Sequence, residues 1–152
     1  MELQNSQLNF LSENKDVTIP TSVTLIRGST NNPCIKKKKI TLRSPIEGID
    51  ATIGPGTFLD CHNLESVYIS NSISSIGESA FANCTRLTNV TIQDGGNPTL
   101  IGDGAFQRCS LLNSITIPIS VSSIGNKAFW GCNGLNSITI PAAVTSIGNA
   151  AF

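Results

Sequence analysis

Residues 112–135 read LNSITIPISVSSIGNKAFWGCNGL. Leu112, Ile115 and Ile117 are spaced so that a short strand buries Ile115 and Ile117 and shows Thr116 to solvent. Pro118 stops that strand because it has no N–H to give to a ladder. Val121 and Ile124 begin a return path, and Gly125 permits a backbone bend that a side chain would hinder. Between Asn126 and Gly131 the chain is too short for an α-helix of average length. The spacing therefore predicts a helical turn or 3₁₀ segment that places Ala128 and Phe129 inside. Cys132 and Leu135 close the turn before the next strand begins at Ser137.

The same unit recurs on both sides. Cys34, Cys61, Cys84, Cys109 and Cys132 occupy one position of it, 27, 23, 25 and 23 residues apart. Ile53, Ile76, Ile101, Ile124 and Ile147 each precede a glycine, and Phe58, Phe81, Phe106, Phe129 and Phe152 each follow that isoleucine by five residues. A fixed period of this length is the mark of stacked turns, so the expected fold is an α/β repeat solenoid. From each Ile-Gly pair to the next strand the distance is constant at 16 residues, as in Ile53 to Ile69 and Ile124 to Ile140. From strand to Ile-Gly it varies: 7 for Ile117 to Ile124, 9 for Ile92 to Ile101 and 11 for Leu42 to Ile53. One edge of the coil thus absorbs insertions as loops.

Counting from Ile26 by the same rule reaches Cys34, Ile40 and Leu42. The stretch 27–39 is then a decayed turn, with Asn31 in the Phe column and Lys37 in the column of Leu64, Leu87, Leu112 and Leu135. One turn earlier, Leu3, Leu8, Leu11, Val17 and Ile19 fall on core columns, with Gln4 in the glycine slot. The expected organisation is an N-terminal capping turn over 1–16 and a solenoid over 17–152 of about five to six turns. Its first turn, 17–39, is degenerate and its last is truncated at Phe152. That last turn has no polar residues to close it, which points to a longer array or to end-to-end association through the uncapped turn.

Ten basic and ten acidic side chains cancel, and nothing in their distribution points to nucleic acid. The first thirty residues hold no apolar stretch long enough for a signal peptide, and no later run approaches a membrane span. Five cysteines in one inward column are expected as buried thiols rather than as a disulfide framework.

The unit L-x-x-I-T-I-P-x-x-V-x-x-I-G-x-x-A-F-x-x-C, complete in Leu112 to Cys132, resembles the leucine-rich repeat and within it the BspA-like subgroup of surface proteins. Leu64 to Cys84 departs with Val67, Tyr68 and Ser70, and Leu87 to Cys109 with Val90 and Gln93. The resemblance implies a curved solenoid with a parallel sheet on the concave side and short helical or 3₁₀ turns on the convex side. It also implies inward cysteines and a role in adhesion or protein binding, with no catalytic residues to carry across. Cell-surface display follows from the resemblance, a cytoplasmic location from the lack of a leader in these residues.

Outward strand positions form ladders, and ladders are how such folds bind. The central one is Thr18, Thr41, Tyr68, Thr91, Thr116 and Thr139; beside it run Asp16, Lys39, Ser66, Asn89, Ser114 and Ser137. On the other side come Pro20, Arg43, Ser70, Gln93, Pro118 and Pro141. The expected partner-binding set is Lys39, Thr41, Arg43, Ser66, Tyr68, Asn89, Thr91, Gln93, Ser114, Thr116, Ser137 and Thr139. Tyr68 with Arg43 is the expected hot spot, because buried Tyr and Arg dominate interfaces. The basic run Lys36 to Lys39 reads as a solvated loop, and Trp130 as a convex-side residue partly shielded by a neighbouring loop. Asn83-Cys84-Thr85 and Asn89-Val90-Thr91 fit the N-glycosylation pattern.

Catalysis is the weakest candidate. His62 is the sole histidine, so no histidine constellation repeats, and a parallel thiol column does not converge on a metal. No cofactor and no metal are expected. The expected function is a non-catalytic module binding a protein partner, such as a host-surface or extracellular-matrix protein, through the concave sheet. The alternatives are an intracellular scaffold and, remotely, an ice-binding β-solenoid.

Overall fold

The computed structural model describes residues 2–3, 25–26, 39–42, 51–95 and 99–152. The strand predicted over each L-x-x-I-x-I unit forms in four successive turns: β3 (Lys39–Leu42), β5 (Ser66–Ile69), β7 (Asn89–Ile92) and β9 (Ser114–Thr116). They pair in parallel in the order β3-β5-β7-β9. Ile40, Val67, Val90 and Ile115 lie in one register row, and Thr41, Tyr68, Thr91 and Thr116 in the next, as the sequence columns require. β9 ends early for the expected reason. Ser70 N–H bonds Leu42 O at 2.9 Å and Gln93 N–H bonds Ile69 O at 2.8 Å. Pro118 at the equivalent place has no donor to offer.

The return path is where sequence and structure part. Instead of a helical convex side, a second parallel sheet runs the length of the stack: β1 (Glu2–Leu3), β2 (Leu25–Ile26), β4 (Ala51–Ile53), β6 (Ile73–Ile76), β8 (Thr99–Ile101), β10 (Val121–Ile124) and β11 (Ser146–Ile147). Its register aligns Leu3, Ile26, Ile53 and Ile76, as the backward count has them, while Leu8, Leu11, Val17 and Ile19 of that count lie outside the described residues. Shifts of register occur between Ala51 and Thr52 and between Val121 and Ser123. At each, the residue skipped in the register, Ser74 or Ser122, lies on the strand whose turn has the shorter approach to Ile-Gly, so the bulge does not take up the insertion.

Among the described residues there is no α-helix and no 3₁₀ segment, which corrects the α/β expectation and the expected helical turn over Asn126 to Gly131. The cause is how the N–H groups are spent. Thr57, Leu59 and Cys61 donate within their own turn, to Gly54, Gly56 and Phe58. The intervening Gly56, Phe58 and Asp60 donate instead to Glu78, Ala80 and Ala82 of the next turn, at 2.8, 2.7 and 2.9 Å. A helix needs consecutive N–H groups to bond backwards, and here every second one is claimed by the neighbour. Two residues per turn, such as Ser79 and Asn83 at φ 53° and 59°, also lie in the left-handed region, which breaks any helical run.

Between the walls lies the core. Phe58, Phe81, Phe106, Phe129 and Phe152 stack nearly parallel, with ring centroids 5.0, 5.2, 5.4 and 5.6 Å apart. Such offset stacks add roughly 0.5–1.5 kcal/mol per pair beyond burial. Cys61, Cys84, Cys109 and Cys132 are buried free thiols, as expected; Cys34 lies outside the described residues. Three of these thiols have a use that the sequence did not announce. Cys84 Sγ donates to Phe58 O, Cys109 Sγ to Phe81 O and Cys132 Sγ to Phe106 O, at 3.2, 3.2 and 3.1 Å. Neighbouring thiols of the column, with burial, raise Cys84 and Cys132 well above the usual thiol range, so both stay protonated donors.

Candidate functional site: the concave sheet

Strands β5, β7 and β9 present alternate residues outward, because the pleat sends Val67, Ile69, Val90, Ile92 and Ile115 into the core. Asn89, Thr91, Gln93, Ser114 and Thr116 are exposed, while Ser66 and Tyr68 are half-buried. Two of the predicted residues are tied together across the turns: Tyr68 Oη donates to Gln93 Oε1 at 2.9 Å. On β7, Thr91 Oγ1 donates to Asn89 Oδ1 at 3.2 Å. Lys39 is exposed at the N-terminal edge.

Other predicted members fall elsewhere. Thr41 is 7% exposed, so it is not the open ladder position expected; its register partner is Tyr68. Arg43 lies outside the described residues, as do Thr18, Asp16, Pro20 and Lys36 to Lys38. Ser70 is buried with its hydroxyl 2.6 Å from that of Ser72, and Pro118 is buried, so the third column keeps Gln93 as its exposed polar group. Ser137 and Thr139 are exposed, but residues 137–140 form no strand. Pro141, like Pro118 one turn earlier, lacks the N–H that Gln93 and Ser70 use two and three turns earlier.

Three features escaped the sequence reading. Arg108 stacks over the Trp130 ring at 5.3 Å on the turn wall, so an arginine from the preceding turn shields the ring, where a neighbouring loop was expected to. Asp103 Oδ1 accepts the Asn126 N–H at 2.8 Å, Asp103 Oδ2 accepts from Asn126 Nδ2 at 3.0 Å, and Asn126 Oδ1 accepts the Asn149 N–H at 2.7 Å. These bonds hold the Asp103 carboxyl below the usual carboxylate range. The signal was present as Asp or Asn after Gly102, Gly125 and Gly148. In the sequon at Asn83, the side-chain amide donates to Asp60 Oδ1 at 2.8 Å. Among the described residues no group of three His, Cys, Asp or Glu is placed to hold a metal ion, and no helix is long and apolar enough to cross a membrane.

The stacked register and the Phe and Cys columns match six copies of the BspA type leucine rich repeat region, over residues 2–96 and 51–152. The chain belongs to the BspA-type leucine-rich repeat family. Among solved structures, this BspA-type chain is similar to the T. pallidum leucine-rich repeat protein, at 32% identity and a TM-score of 0.69, over 76% of this chain and 53% of that one. A leucine-rich repeat protein from Bacteroides ovatus matches at 30% identity and 0.72, over 88% of this chain and 33% of its own. A leucine rich cell surface protein from Faecalibacterium prausnitzii matches at 34% identity and 0.66, over 90% and 35%. The chain thus spans about half or a third of the length of these relatives. No curated protein matches it. Leucine-rich repeat families are generally non-catalytic binding scaffolds, and they usually mediate protein interaction.

Proposed function

We propose that this BspA-type segment is a non-catalytic adhesion module that binds a protein partner through the concave sheet. The observation that carries the reading is the tethered pair Tyr68–Gln93 beside Asn89–Thr91, on strands locked by parallel pairing. Side chains already held by bonds to one another lose little freedom on binding, which favours recognition. Tyr68 supplies the aromatic anchor, with Arg43 as its expected companion. Similarity to a protein described as a leucine rich cell surface protein supports a location at the surface. The partition into a capping turn over 1–16 and a solenoid over 17–152 belongs to the same proposal.

The test is binding to an immobilised panel of host-surface and extracellular-matrix proteins. The double variant Tyr68→Ala/Arg43→Ala is compared with Trp130→Ala on the turn wall. Binding lost in the first and kept in the second is the expected result. The opposite pattern moves the site off the concave face. Labelling of intact source cells, lost on protease shaving, tests the location; signal only after permeabilisation overturns it in favour of an intracellular scaffold.

A further inference from the structure

Two columns of the turn wall run at left-handed φ, and each holds one cation. Lys127, at φ 53°, shares its column with Gly104 and Ala150; Arg108, at φ 58°, shares the other with Asn83 and Gly131. Glycine and asparagine suit that conformation, whereas a long basic side chain gains nothing from it locally. Strain that persists at a surface position is a pointer to use.

Both cations stand clear of their neighbours. The Lys127 N–H bonds Asn149 O at 2.9 Å and the Gly104 N–H bonds Asn126 O at 2.8 Å, so Lys127 sits between Gly104 and Ala150. The Arg108 N–H bonds Trp130 O at 2.7 Å and the Asn83 N–H bonds Gln107 O at 2.8 Å, so Arg108 sits between Asn83 and Gly131. Each column therefore flanks its cation with small residues, and both side chains are exposed. Neither has an ion-pair partner among the described residues, where Arg86–Glu65 is the salt bridge formed. The carboxylate of the turn before Lys127, Asp103, has both oxygens engaged by Asn126. Trp130 steadies the arginine: the guanidinium carbon lies 5.3 Å from the ring centroid, within cation–π range.

A stacked guanidinium keeps its N–H edge for an acceptor, and that planar fork matches a carboxylate, while the lysine ammonium takes a second one as a point charge. Nucleic acid or a sulfated glycan calls for a run of cations, and here there are two, with Asp103 beside them. Tryptophan and arginine are also the side chains most enriched where proteins hold one another tightly. We infer that Arg108 and Lys127, with Trp130 positioning the arginine, form a second docking site, on the turn wall, for an acidic segment of a protein. The inference goes beyond the concave-sheet reading and stands or falls without it.

The experiment titrates the full chain, by fluorescence anisotropy, against labelled peptides of one length in which leucine alternates with glutamate, lysine or glutamine. Only the glutamate peptide is expected to bind, and more weakly as salt rises. Lys127→Gly and Arg108→Asn should each weaken it about two- to fivefold. Trp130→Ala should weaken it by releasing the arginine, and Tyr68→Ala should leave it unaltered. Glycine suits a left-handed φ, so Lys127→Gly should raise the urea midpoint as well; affinity that falls while stability rises does not come from unfolding. Equal binding of the lysine or glutamine peptide, no binding of the glutamate peptide, or unaltered affinity in both Lys127→Gly and Arg108→Asn overturns the inference. Heparin bound in preference to the glutamate peptide overturns it in favour of a sulfated glycan. Weakening by Tyr68→Ala to the same extent overturns it by moving the peptide to the concave sheet.

Discussion

Replacing Gly125 by alanine should cost far more than replacing Gly104, although both belong to the same turn wall. Gly125 has no positive φ; its role is close approach. A Cβ built there meets the Asp103 N at 2.5 Å and the Gly102 carbonyl carbon at 2.6 Å, both backbone atoms of the preceding turn. Restoring an ordinary contact of about 3.4 Å requires the turns to part by roughly 0.9 Å. Two bonds bridge that gap, Gly125 N–H to Ile101 O at 2.8 Å and Asn126 N–H to Asp103 Oδ1 at 2.8 Å. Overpacking costs about 1–3 kcal/mol, and a backbone bond lost near the core about 1–3 kcal/mol. A total of about 2–6 kcal/mol is expected. Gly104 has φ +59°, and its added Cβ meets only the movable end of Gln107 at 2.9 Å. Alanine there carries the left-handed penalty of about 1–2 kcal/mol, offset by about 0.4–1 kcal/mol from the stiffer unfolded chain. The net is about 0–1.6 kcal/mol. Ala150 already occupies the equivalent place at φ 50°, so the conformation is accessible. Equilibrium urea unfolding, followed by Trp130 fluorescence and far-ultraviolet circular dichroism, gives both values. A Gly125→Ala cost no larger than that of Gly104→Ala would refute the close-approach account.

Lys127 lies at φ 53° in the same column as Gly104, with an exposed side chain, so Lys127→Gly should stabilise the chain by about 0.5–1 kcal/mol; a lower urea midpoint would contradict this. The Asp103 carboxyl has its folded-state pKa lowered by its bonds to Asn126, so its contribution is complete above the ordinary carboxylate pKa of about 3.9 and is lost as pH falls through the folded value. Thermal melts taken from neutral pH into that acid range should fall less steeply for Asp103→Asn than for the parent, and parallel curves would remove Asp103 from the account. The thiols of Cys84 and Cys132, buried and held protonated, should react with a water-soluble disulfide reagent only as fast as the chain unfolds. A rapid burst from the native protein would show the column to be open.

The repeat register was legible because each column asks one thing of a side chain. Val67, Val90 and Ile115 had to point inward from strands of period two, and the backward count from Ile26 to Leu3 holds in the second sheet. Local pattern also foretold that Pro118 would end β9. Whether the return path was helical was not legible, because residues 126–131 are compatible with a 3₁₀ turn taken alone. Only the adjacent turn, by accepting the N–H groups of Phe58, Phe81 and Phe106 at Ala80, Ala105 and Ala128, decides against it. The concave ladder shows the same division. Alternation placed Tyr68, Asn89, Thr91 and Gln93 on one face, yet the sequence could not say that Thr41 would be buried or that Tyr68 would bond to Gln93. Sequence fixes which face a residue takes through the period of the backbone; which groups meet on that face depends on side chains from turns some 23 to 27 residues apart, and on distances that only the stacked chain sets.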